Sequence, residues 1–165
     1  MEAPASEAGP SGCIAEQSDF GGKAEVTLNV FLDSSALAKR YVEEKGSDRV
    51  QAILSSASVL AVSVICVSEI VSALCRRRRE RKLSTEEYRN AKASVLSDMD
   101  DATVIGITEE VVAQAVALLE HFPLRSADAL HVACAAEWST DLFVSADSRQ
   151  CRAARAHGLK VEAII

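Results

Sequence analysis

Four carboxylates sit where they could do chemistry. Asp33 closes the apolar run 26–33 (VTLNVFLD), and Asp147 closes Phe-Val-Ser-Ala-Asp at 143–147. Glu69 lies in Ile-Cys-Val-Ser-Glu-Ile-Val and Asp128 in Arg-Ser-Ala-Asp-Ala-Leu-His, both in apolar company. Singly, each has an ordinary explanation. Asp33 and Asp147 are favoured N-caps for the helices that follow. Asp128 falls in a first helical turn, where the dipole welcomes an anion. Glu69 can pair with Arg76, two turns on. Jointly they read differently. Four carboxylates converging at one end of a sheet repel one another unless a hard cation lies among them, and Mg²⁺ and Mn²⁺ take oxygen ligands of this type. Such a centre polarises a phosphodiester and lowers the pKa of the attacking water. That is the chemistry of a metal-dependent nuclease.

The elements needed to position these acids are legible. Short apolar strands are expected at 26–33, 59–63, 103–107, 142–145 and 161–165. Helices are expected from Ser34 or Ser35 to residue 42, then over 49–57, 65–81, 84–99, 108–121, 126–138 and 148–157. Ser84 with Glu87 forms a capping box, Ser126 is the expected cap of its helix, and Gly158 stops the last one. The helix at 108–121 should bury Val111, Val112, Ala115, Leu118 and Leu119. The helix at 126–138 is apolar almost all round and should lie inside. Strands alternating with helices imply an α/β fold with a parallel sheet covered on both faces. In such a sheet the ligand crevice lies at the carboxyl ends of the strands, where Asp33 and Asp147 fall.

The 165 residues make about one domain. With 48% hydrophobic and 25% charged residues, wholesale disorder and collagen are excluded. Residues 1–25 hold four of the seven glycines and carry five acids against Lys23. They read as a flexible tail, with 26–165 as the folded unit. The remaining chain is only −2, despite the basic run at 76–82, so it is no general nucleic-acid coat but can touch a phosphate backbone locally. Neither a signal peptide nor a membrane-spanning run is expected from the pattern of charges and apolar residues. Cys13, Cys66, Cys75, Cys134 and Cys151 include no C-x-x-C pair and read as reduced thiols of a cytoplasmic protein.

The segments at 31–41 (FLDSSALAKRY), 68–70 (SEI), 124–131 (LRSADALH) and 142–147 (LFVSAD) resemble, in order and spacing, the PIN domain, particularly VapC-type toxins of bacterial toxin–antitoxin pairs. The resemblance covers about residues 28–164. It implies a three-layer α/β/α sandwich with a central parallel sheet, an acidic Mg²⁺ or Mn²⁺ site and endoribonuclease activity. It also implies a homodimer and a cognate VapB-type antitoxin that inserts a C-terminal segment into the active site. Asp33, Glu69, Asp128 and Asp147 match the family's four acids. Ser145 matches a hydroxyl position more often occupied by Thr. Where the family continues with basic residues and then Leu, this chain has Ser148, Arg149, Gln150 and Cys151, a change of helix surface or packing.

Of the weaker features, the 76–82 run is either a solvated helix end or an RNA or antitoxin contact. Arg125 and Arg149 either pair locally or hold a phosphate. His131, one turn after Asp128, reads as a structural hydrogen-bonder rather than a ligand. A competing reading has the acids as caps and pairs only, in a non-catalytic RNA-binding or regulatory module.

Overall fold

Short runs rich in Val, Leu and Phe form five strands: β1 (Asn29–Leu32), β2 (Val59–Ser63), β3 (Thr103–Ile105), β4 (Leu142–Ser145) and β5 (Val161–Ala163). The computed structural model describes residues 27–164; the expected tail at 1–25 and Cys13 lie outside the described residues. Between the strands, seven helices run among the described residues: α1 (Ser34–Leu37), continued by a 3₁₀ turn at Ala38–Arg40, α2 (Ser47–Ser56), α3 (Cys66–Arg79), α4 (Thr85–Asp101), α5 (Glu109–His121), α6 (Ser126–Glu137) and α7 (Ser148–Ala156). No helix among the described residues is long and apolar enough to cross a membrane.

All strand pairs are parallel, in the order β3-β2-β1-β4-β5. The chain builds outwards from β1 through β2 to β3, then crosses to β4 and β5 on the other side. The crossover makes β1/β4 the topological switch point, where a crevice opens beyond the strand ends.

Alternation along the strands divides the core. Val30, Leu32, Val62 and Val144 pack against α1–α4, while Phe31, Ala61 and Phe143 pack against α5–α7. The result is the expected α/β/α sandwich around a parallel sheet. Phe31 is fully buried at its centre, stacked on Phe143 at 6.0 Å between ring centroids. The capping box at Ser84 and Glu87 forms as expected. α6 buries Ala129 and 131–135.

Two local expectations give way. Val112 and Leu119 are 46% and 36% exposed. α5 faces the core through Val111, Ala115 and Leu118 alone, and a step of about 100° per residue turns Val112 and Leu119 outwards. Ser126 is the first residue of α6 rather than its cap; that position belongs to Arg125. Cys66, Cys134 and Cys151 are buried and Cys75 is partly so; all four thiols are free.

Candidate metal centre and nucleic-acid cleft

β1 ends and α1 begins at Asp33. Its Oδ1 accepts the Ala36 N–H at 2.8 Å, capping α1. The Ser35 hydroxyl lies 2.9 Å from Oδ1 and 2.8 Å from Oδ2. Ser145 Oγ, at the end of β4, lies 3.2 Å from Oδ2. Asp33 is 2% exposed, and these hydrogen-bond partners are all uncharged. Burial pushes its carboxyl above the ordinary value, against the opposing pull of His131 and of these donors.

Glu69 stands in the first turn of α3. Its Oε2 receives the Ser34 hydroxyl at 2.7 Å and His131 Nε2 at 2.6 Å. On its far side the ring meets Ser63 Oγ, 2.9 Å from Nδ1. The His131 bond foremost, then Ser34, holds the Glu69 carboxyl below its ordinary value although burial opposes them. The pairing of Glu69 with Arg76 raised by the sequence does not form.

Asp128 sits in the first turn of α6, where its Oδ2 accepts the backbone N–H of Arg125 at 3.1 Å. Asp147 caps α7. Its Oδ1 accepts the backbone N–H groups of Arg149 at 2.8 Å and Gln150 at 3.2 Å, and Arg149 Nη2 lies 3.0 Å from Oδ2. The Arg149 guanidinium is the main reason its carboxyl falls below the usual range. The capping roles of Asp33 and Asp147 are therefore real.

All four acids line one cleft of about 1000 Å³. Ser145 is fully buried beneath it and is not part of the lining. Five cations share the walls: Lys39, Arg76, Arg77, Lys82 and Arg125. Lys39 and Arg77 pair with Glu44, and Lys82 with Glu80. Among the described residues, Arg76 and Arg125 have no ion-pair partner. A smaller hollow of about 610 Å³ around Arg40, Tyr41 and Asp98 contains none of the four acids.

Residues 30–156, from β1 to the end of α7, match the PIN domain family. The chain belongs to that family. This PIN domain is 30% identical over 134 residues to the ribonuclease VapC46 of Mycobacterium tuberculosis, covering 80% of this chain and 95% of that protein. Among solved structures it resembles VapC20 of Mycobacterium tuberculosis, described as a sarcin–ricin loop cleaving toxin. The TM-score is 0.60 at 19% identity, over 79% of this chain and 95% of that one. It also resembles DNA-bound VapBC from Salmonella typhimurium, with a TM-score of 0.58 at 12% identity, over 84% and 100%. At such identities these two structures speak to the fold.

The donor set of this PIN domain suits a hard divalent cation, being carboxylate oxygen throughout. Asp33 adds a second reason. An ionised carboxylate this deeply buried requires a counter-charge, and among the described residues none is paired with it. On the other side of the test, no three His, Cys, Asp or Glu side chains among the described residues stand close enough together to hold a metal ion. Glu69 is turned to Ser34 and His131, and Asp147 to Arg149, so each acid is held by donors of its own. The donor type fits; with no three of these acids in reach of one point, an ion would take one or two carboxylates directly and water for the rest, and would have to compete with Arg149 for Asp147.

Four of the residues that shape this cleft carry no site role in the sequence reading. Ser34 and Ser35 directly follow Asp33, at a helix start where hydroxyls turn back onto a cap. Ser63 ends β2 and faces His131. For Gln150, where the sequence leaves helix surface or packing open, the structure gives packing: it is fully buried and hydrogen-bonded at both ends of its amide. The available signal was its position three residues after Asp147, in a helix whose neighbouring Cys151, Ala153 and Ala154 are all core-sized.

Proposed function

We propose that this PIN domain is a divalent-metal-dependent endoribonuclease, the toxin of a toxin–antitoxin pair. The observation that carries this reading is the shared cleft: four carboxylates from four different elements line it, and one of them, Asp33, is buried without a paired cation among the described residues. Asp33, Glu69, Asp128 and Asp147 would hold one or two Mg²⁺ or Mn²⁺ ions. Such an ion, when bound, offsets the charge of a phosphodiester and lowers the pKa of the attacking water.

The chain's own residues do the rest. Ser34 and His131 fix Glu69, and Arg125 N–H fixes Asp128. Ser145 positions Asp33 from beneath. Arg76 and Arg125, on the same walls, suit RNA phosphates on either side of the acids. With aromatic residues at 4%, base stacking has little to work with, so binding rests on the backbone and shape of the RNA. The ribonuclease VapC46, matched over 80% of this chain, supports the activity. The toxin–antitoxin assemblies among the structural neighbours support a VapB-type antitoxin partner; a homodimer acting on RNA in the cytoplasm completes the proposal.

The test is cleavage of a labelled RNA by the purified full chain, with Mg²⁺, with Mn²⁺ and with a chelator. Cutting should require the cation. It should fall by about 100-fold or more, on the order of 3 kcal/mol of barrier, in Asp33→Asn and in Asp147→Asn, while circular dichroism shows the fold retained. An Asn variant cutting at the wild-type rate refutes the assignment.

A further inference from the structure

We infer that His131 is a positioning residue: it holds Glu69 so that one carboxylate oxygen is presented to the cleft. The inference rests on the ribonuclease reading above. Both donors to Glu69, Ser34 Oγ and His131 Nε2, converge on Oε2. Among the described residues, no hydrogen bond engages Oε1. The glutamate side chain is 33% exposed and would otherwise turn freely in solvent; pinning Oε2 fixes where Oε1 points.

The ring itself cannot follow the glutamate outwards. His131 is 1% exposed. Ser63 Oγ, which can donate or accept, completes it at Nδ1. Phe31 meets it edge-on, with centroids 6.5 Å apart and planes at 74°. A carboxylate only accepts, so Nε2 carries the proton that Glu69 receives. His131 also lies three residues after Asp128 on α6, hence on the same side of that helix. One helix therefore carries Asp128 and holds Glu69, which lies across the sheet on α3. Coupling of this kind, in which outer partners orient the ligands of a metal, is worth about 10- to 100-fold in affinity or activity.

The two ring nitrogens separate this role from packing. In His131→Gln the amide nitrogen falls near the place of Nε2 and retains a donor for Glu69. In His131→Asn the amide reaches only the place of Nδ1 and retains Ser63. Both lose the ring against Phe31. Three readouts on the full chain decide: the melting temperature without added metal, the affinity for Mn²⁺ alone by calorimetry, and kcat for RNA cleavage.

The two variants should melt close to one another. His131→Asn should lose about tenfold or more in Mn²⁺ affinity and in kcat, while His131→Gln stays within about threefold. Equal losses in both variants, no loss in either, or a loss confined to His131→Gln overturns the inference. If the wild-type chain neither cuts RNA nor binds Mn²⁺, the ribonuclease reading fails. The pairing is then decided by the imidazole ¹⁵N spectrum of His131. An Nε2–H signal displaced in Glu69→Ala supports it, and one left unmoved overturns it.

Discussion

Gln150 Oε1 lies 2.6 Å from Ser145 Oγ, and both side chains are fully buried. The other end of the amide, Nε2, donates to the Asp128 carbonyl at 3.0 Å, which fixes which way the amide faces. Ser145 Oγ accepts the Asp147 N–H at 3.0 Å. Its single proton is thus offered to two acceptors, Gln150 Oε1 and Asp33 Oδ2. One buried glutamine thereby ties the end of β4 to the first turns of α6 and α7, the segments that carry Asp128 and Asp147. Gln150→Leu keeps most of the bulk and removes both bonds. It should cost about 1–3 kcal/mol of unfolding free energy in a urea titration. A change below about 0.5 kcal/mol would mean that the amide is dispensable.

Asp33 should show that function is maintained here against stability. Its folded pKa lies above the ordinary value because burial disfavours the charge. Its contribution to stability is therefore full at low pH and is lost as pH rises through the folded value. At neutral pH the ionised group is a burden that Asn, equal in shape and uncharged, removes. Asp33→Asn should melt at or above the wild-type temperature at pH 7 while losing RNA cleavage. A marked fall in its melting temperature would mean that the carboxylate is needed for the fold itself.

Arg149 competes for Asp147. The pair is surface-accessible, so solvent screens it and it adds little to stability. Arg149→Ala should leave the melting temperature nearly unchanged and tighten Mn²⁺ binding by roughly a few-fold. Weaker Mn²⁺ binding in the variant would show that the guanidinium orders the site instead of opposing the cation.

Away from the cleft, Asp98 is bonded to Arg40 and to the Tyr41 hydroxyl, the latter at 2.8 Å. Burial alone would raise the Asp98 carboxyl, but the bonds from Arg40 and Tyr41 more than offset it and hold it below the ordinary value. For a depressed carboxylate, stability is present above the unfolded pKa and is lost as pH falls through the folded one. Asp98→Asn should therefore cost about 1–2 kcal/mol at pH 7. The gap to wild type should close below about pH 4. Melting curves at several pH values check this, and a gap independent of pH contradicts it.

The parts of this molecule that were legible in the sequence are those set by local pattern. The strand at 59–63 and the Ser84 capping box follow from apolar runs and from side chains that bond their own backbone. The four acids were visible because a strand end or an apolar helix is an expensive place for a carboxylate. What each acid touches was not visible. Glu69 is held by Ser34 and His131, which lie 35 and 62 residues away, and only the parallel β1/β2 and β1/β4 pairings bring them together. For Gln150 the sequence leaves surface and packing both open, for the same reason. Its partners are a hydroxyl on β4 and a carbonyl on α6, and nothing in its own helix announces them. Val112 and Leu119 were placed inside because periodicity gives the apolar side of a helix but not the width of the surface it meets.

Four carboxylates around one cleft should gather a divalent cation there. Crystals of the full chain grown with Mn²⁺, with anomalous differences measured at the manganese edge, test it most directly. The predicted result is a peak in the cleft with Asp33 and at least one of Glu69, Asp128 and Asp147 at about 2.0–2.3 Å. An ordered cleft without such a peak at saturating Mn²⁺, its acids still bound to Arg149 and His131 alone, would mean that these acids hold no metal.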